Sequence, residues 1–259
     1  MARDAASSLI YCERLGPMSG PVPSMSIAPT QFDLWCAREL AGLLKHHIQL
    51  NVGVQRAISS NVLGGLWFGL VLFVFWMQSA RKGQDETQVR ILTILVGSTL
   101  AILLTLVAQL VMTWPPPVHY PALENLYWGL LEPNPNTNSF PSQSVALYGC
   151  VAAGIYSLHK SLGWVLWALV VVFVALPRMF VAGHYFTDVL VGFFISLIGY
   201  WFARWVLETK FTARFARFLD ATPRLQLFRE IVVFLWIIQV TVEFQGVVWF
   251  KTFTEALLR

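Results

Sequence analysis

Residues 91–114 carry no charged side chain and consist mainly of Leu, Ile, Val and Ala. A bilayer's hydrocarbon core, about 30 Å thick, is crossed by roughly 20 residues of helix. This run has that length and that polarity. Comparable apolar stretches lie at 62–78, 145–158, 164–181, 189–206 and 231–250. The expected fold class is therefore an all-α integral membrane protein, about six transmembrane helices in one bundle. The 145–158 stretch is the shortest and contains Gly149 and Gly154, small residues of the kind that let helices approach closely in lipid. Residues 32–50 differ: Arg38, Lys45, His46 and His47 interrupt the apolar pattern, which predicts an N-terminal amphipathic segment lying on the membrane surface.

Composition supports this reading through its charge deficit. Only 12% of residues are charged against 56% hydrophobic, where a soluble domain carries about a quarter charged. A net charge of +4 does not indicate nucleic acid, because the basic residues form no dense run and sit between apolar stretches, where topology accounts for them. Cys12, Cys36 and Cys150 are far apart and support neither a disulfide framework nor a zinc site. The chain divides into a flexible leader over 1–31, rich in Pro and Ser, an interfacial segment over 32–60, a transmembrane core over 61–206, and a basic connector with a C-terminal transmembrane helix over 207–259. That last helix contains Glu243 and Gln245, and polar residues within a span face protein, so it is expected to pack on the core or on a membrane-protein partner. Arg81, Lys82, Arg90, Lys160 and the six basic residues of 204–229 mark connectors on the cytoplasmic side, whereas 115–144 has no Lys or Arg and faces outward.

Two outward segments hold the polar chemistry. Asn138-Ser139-Phe140-Pro141-Ser142-Gln143-Ser144 precedes an apolar stretch, and a helix starting there offers hydroxyls and free backbone N–H groups to an anion. Arg178, His184 and Asp188 lie in the second. His184 and Asp188 are four apart, so on a helix they share a face; the carboxylate would take one imidazole nitrogen and leave the other as a base or nucleophile. Arg178 brings a permanent fork of donors suited to phosphate oxygens.

Arg178, His184 and Asp188, followed by Val189-Leu190-Val191-Gly192, resemble the third signature of the type 2 phosphatidic acid phosphatase superfamily, and Phe140-Pro141-Ser142 resembles the start of its second. The resemblance covers roughly residues 60–205. It implies a six-span fold with the site on the outer face and phosphoryl transfer without metal or cofactor. The residue matching His184 forms a phosphohistidine, and the one matching Asp188 orients it. Arg178, Ser142 and the neighbouring Gln143 and Ser144 would hold phosphate oxygens. The second signature usually continues Pro-Ser-Gly-His, its His protonating the leaving oxygen; here it reads Pro141-Ser142-Gln143-Ser144. The Lys and Arg-Pro of the first signature have no counterpart at 109–117.

A general acid matters most for a poor leaving group, so its absence favours a polyprenyl or other lipid diphosphate, which departs as a weakly basic phosphate. Loss of two cations cuts the other way. His119, Tyr120, Glu124 and Glu132 lie in the outer connector, and His119 is the candidate substitute acid. Three functions remain open: a lipid phosphatase or diphosphatase, a lipid phosphotransferase, since His-Tyr-x-x-Asp also resembles the last signature of sphingomyelin-synthase-like enzymes, and a catalytically degenerate member that binds a phospholipid or serves as a complex subunit. The expected partners are a phosphorylated lipid and the bilayer, and the expected location is a bacterial inner (plasma) membrane.

Overall fold

A computed structural model describes residues 29–46, 65–112, 114–120, 123, 138–207 and 222–243. The leader, Glu124, Glu132, the basic stretch after 207 and Gln245 lie outside the described residues. Every regular element among the described residues is helical: α1 (Gln31–His46), α2 (Trp67–Lys82), α3 (Asp85–Val111), α4 (Gln143–Leu158), α5 (Lys160–Phe180), α6 (Phe186–Leu207) and α7 (Pro223–Thr241). A short 3₁₀ turn, Pro117–His119, follows α3, and the middle of α5, Val170–Ala175, widens into a π-helical turn.

Three of these helices, α3, α5 and α6, are long and apolar enough to cross a membrane; α4 is equally apolar but has 16 residues. Together they make this a membrane protein. The helix expected over 231–250 starts earlier, at Pro223, because Thr222 caps it by accepting from the Leu225 N–H at 3.3 Å and Pro223 suits the first turn. It also ends earlier: its last regular residue is Thr241, and Glu243 adopts a left-handed φ of 54°.

Helices α3, α4 and α6 pack on one another, and glycines set how closely. A Cβ on Gly199 would lie 2.8 Å from Gly97 O, and one on Gly149 would lie 2.6 Å from Ser196 Oγ. One on Gly154 would strike Ile94. Such contacts between small residues hold helices together where apolar lipid gives no hydrophobic drive. Tyr148, Phe68, Ile94, Leu95 and Ile155 fill the centre, with Phe68 stacked on Tyr148 at 4.6 Å. The outer faces remain apolar: Leu103, Val107, Leu110, Phe194, Ile198, Trp201 and Trp205 are all exposed, a continuous apolar surface that belongs against lipid.

The connections divide the bundle's two ends. At one, α2 turns into α3 through Gly83 and α4 into α5 through His159. At the other meet the C-terminal ends of α3, α5 and α7 and the N-terminal ends of α4 and α6. There α1 also docks. Its Ala37 and Ala41 are buried with Trp114, Leu123, Ala182 and Tyr185.

Candidate active site

The second end is built from the 138–142 segment and the turn between α5 and α6. Asn138 organises the first. Its Nδ2 donates to Gln109 O and Met112 O at 3.1 and 2.8 Å, satisfying carbonyls that the end of α3 leaves open, while its Oδ1 accepts from the Trp114 and Phe140 N–H groups, both at 3.2 Å. Ser139 N–H donates to Trp114 O at 2.8 Å. This loop is thereby tied to the preceding span, and its Ser139 carbonyl is aimed at the α5–α6 turn.

Arg178 O organises that turn by accepting from Gly183 and His184 N–H at 3.0 and 3.3 Å. The imidazole of His184 lies with Nδ1 2.7 Å from Ser139 O. A carbonyl only accepts, so Nδ1 carries the proton and Nε2 presents its lone pair. The side chain is 14% exposed, enough to be approached. Asp188 stands beside the imidazole without a hydrogen bond to it. Helix α6 begins at Phe186, so His184 precedes the helix and shares no helical face with Asp188. The carboxylate is fully buried and its Oδ2 accepts from Tyr185 N–H at 2.8 Å, capping α6 from its third residue, while standing 3.7 Å from His184 Nδ1. The imidazole is oriented by the Ser139 carbonyl, with Asp188 as a nearby negative charge. Asp188 Oδ1 has no hydrogen-bond partner among the described residues.

Ser142 occupies the N-cap of α4 and donates its N–H to Asp188 O at 3.1 Å, which joins the two halves of the site. Its side chain makes no capping bond: Oγ is buried and without a hydrogen-bond partner among the described residues. A helix cap and nothing more would not leave the hydroxyl idle. Gln143 opens α4, half-buried, and Ser144 follows it, buried. Ser144 Oγ donates to Glu243 Oε2 at 2.8 Å, and Arg178 Nη2 donates to the two oxygens of the same carboxylate at 3.0 and 2.9 Å. Phosphate-binding candidates from α4 and α5 therefore converge on one anion, and that anion comes from the end of α7. His119 is exposed in the 3₁₀ turn, whose Val118 N–H donates to Ala182 O at 3.2 Å.

Residues 89–212 match the family model of the PAP2 superfamily. That segment belongs to the superfamily. No curated protein and no solved structure matches the chain. The PAP2 segment starts in α3, runs past α6 and includes Ser142, Ser144, Arg178, His184 and Asp188; α1, α2 and α7 lie outside it. PAP2 membership supports a phosphatase-type enzyme acting on lipid-like substrates.

Sequence reasoning did not assign a site role to Glu243, Asp33 or Asn138. Asp33 is fully buried at the base of α1, where its Oδ1 and Oδ2 accept from Thr187 N–H and Oγ1 at 3.0 and 2.9 Å. An anion thus meets the first turn of α6, the end of the helix where negative charge is favoured. The one available signal was Glu243, a carboxylate late in an apolar run, since an ionisable group at such a position is functional by default.

Proposed function

We propose that the chain is a membrane lipid phosphatase or diphosphatase that works through a phosphohistidine on His184. The observation that carries this reading is the Ser139 carbonyl on His184 Nδ1 at 2.7 Å, which leaves Nε2 as a nucleophile in a site that PAP2 membership associates with phosphate-ester hydrolysis. Nε2 attacks phosphorus, the ester or anhydride oxygen departs, and water then cleaves the N–P bond to regenerate the imidazole. Arg178, the idle Ser142 hydroxyl, Gln143 and Ser144 hold the phosphoryl oxygens, with Asp188 steadying the imidazolium charge that develops. The substrate is a phosphorylated lipid. A polyprenyl diphosphate fits the second signature's missing His, because its phosphate leaving group departs with little protonation. The site is assigned to the outer face of the membrane because the basic connectors Arg81, Lys82, Arg90 and Lys160 belong to the opposite end of the bundle.

Phosphate release from a polyprenyl diphosphate and from a phosphatidic acid, measured in detergent without added metal, tests this. Wild type should release phosphate and His184→Ala should not. Background release from both proteins on both lipids rejects hydrolysis. Saturable binding of either lipid without turnover then identifies a binding member of the superfamily, and turnover appearing only with an alcohol acceptor identifies a phosphotransferase.

A further inference from the structure

The carboxylate of Glu243 stands where a phosphate would be bound. It accepts from Arg178 Nη2 through both oxygens and from Ser144 Oγ through Oε2. Arginine and hydroxyl donors converging on two oxygens are the pattern expected around a phosphoryl group. The pair is only partly buried, 27% exposed on Arg178 and 25% on Glu243, so it lies at an opening and not sealed in the core. Glu243 is also held there against a backbone preference: its φ of 54° lies in the left-handed region, where a residue with a Cβ is strained. The end of α7 is braced to keep it so. Tyr148 OH donates to Thr241 O at 3.2 Å, and Thr241 presses directly on Gly65 and Gly69, where any Cβ would collide with it.

The other described side chains around this carboxylate are engaged elsewhere. Arg178 is a fork of hydrogen-bond donors for phosphate oxygens. Asp188 is fully buried and committed to Tyr185 N–H, and His184 holds its Nδ1 proton on Ser139 O while Nε2 is the nucleophile. Tyr148 directs its hydroxyl at Thr241 O, and Ser144 supplies only a hydroxyl. Among the described residues, that leaves the carboxylate of Glu243 beside Arg178.

We propose that Glu243 is the acid–base residue of this site, held on Arg178 and Ser144 while the site is empty and exchanged off the arginine by the incoming phosphoryl group. This rests on the phosphohistidine reading of His184. The phosphoryl group takes over the arginine's donors, and the carboxylate takes up a proton from solvent as it leaves them. As the His184 Nε2–P bond forms and the P–O bond breaks, the electron pair goes to the leaving oxygen, which takes the Glu243 proton. Water then forms a new O–P bond, the N–P pair returns to Nε2, and a water proton returns to Glu243. With an acid present, alkyl phosphates become usable alongside diphosphates.

The test compares full-length wild type, Glu243→Gln and His184→Ala in detergent on phosphatidic acid, with a basic alkoxide leaving group, and on 4-nitrophenyl phosphate, with a weakly basic one. Glu243→Gln should lower the rate of the first turnover on phosphatidic acid by about 10²-fold or more and that on 4-nitrophenyl phosphate far less, while steady-state turnover falls on both and an unchanged melting midpoint shows that the variant is folded. Inorganic phosphate should inhibit the variant at a several-fold lower concentration, because its resident competitor is gone. Equal first-turnover losses on both substrates would reduce Glu243 to a structural counter-ion, and equal gains would make it a plug; either overturns the proposal while His184→Ala remains inactive. Activity surviving in His184→Ala, or absent from wild type, overturns the phosphohistidine reading and the role of Glu243 with it.

Discussion

The two ends of the bundle differ in how they hold charge. At the basic end local closures, with Gly83 ending α2 in a left-handed turn, His159 Nδ1 capping α5 at Leu162 N–H and Arg90 paired with Glu86 one turn away, stand beside interhelical bonds from Trp76 to Glu230, from Arg90 to Ser157 O and from Tyr200 to Ser157. At the site end the bonds are long: Asn138 to the end of α3, Asp33 to Thr187 across 154 positions, Ser144 to Glu243 across 99. Local caps suffice to turn a chain around. What sets the site end apart is buried charge: Asp33 and Asp188 are fully buried there beside His184, whereas Glu86 and Glu230 at the basic end are 81% and 35% exposed.

The contrast can be broken by substitutions at either end. The largest effect falls on turnover: His184→Ala should cost at least about three orders of magnitude in kcat with little change in thermal midpoint, measured by phosphate release and a melting curve on the same preparation. Asn138→Ala comes next, removing four hydrogen bonds at the junction of α3 and α4. About 3 kcal/mol of stability should go with them, seen as a lower unfolding midpoint, and activity should fall because Ser139 no longer holds the imidazole. Asp33→Ala should cost about 2 kcal/mol and loosen α1 from the α5–α6 turn, read as faster hydrogen exchange at Thr187 and Tyr185. Glu86→Ala, at the basic end, should change stability by no more than about 0.5 kcal/mol and leave turnover untouched. If it disturbs activity as much as Asp33→Ala does, the two ends are not the separate regimes described.

The sequence was most legible where its signals are local. Apolar runs locate α3, α5 and α6, and the spacing of Arg178, His184 and Asp188 pointed to one loop that the fold does bring against Ser139 and Ser142. It misled on how those groups are arranged: a four-residue interval suggested a shared helical face, but α6 starts only at Phe186, and Asp188 reaches back to cap it. The boundaries of α7 were misread because Thr222 and Pro223, a cap signal, outweigh the apolar pattern that begins at Ile231. Asp33 drew no reading from the sequence, since nothing near it in sequence names its partner. Glu243 read as a packing residue because its meaning depends on Arg178, 65 positions away. Pair identity across such intervals is a property of the folded chain.

The π-helical turn at Val170–Ala175 sets the phase of everything that follows it in α5. Such a turn accommodates one residue more than an α-helical one, and each residue of an α-helix advances the side chain by about 100°. Arg178 lies three residues beyond it, so the azimuth of its guanidinium depends on that one surplus residue. Deleting any one of Val170, Val171 or Val172 would let α5 relax to a regular pitch, remain as apolar as before, and rotate Arg178 by more than a quarter turn away from Ser144. A change invisible to hydropathy would in this way misalign the guanidinium that pairs with Glu243.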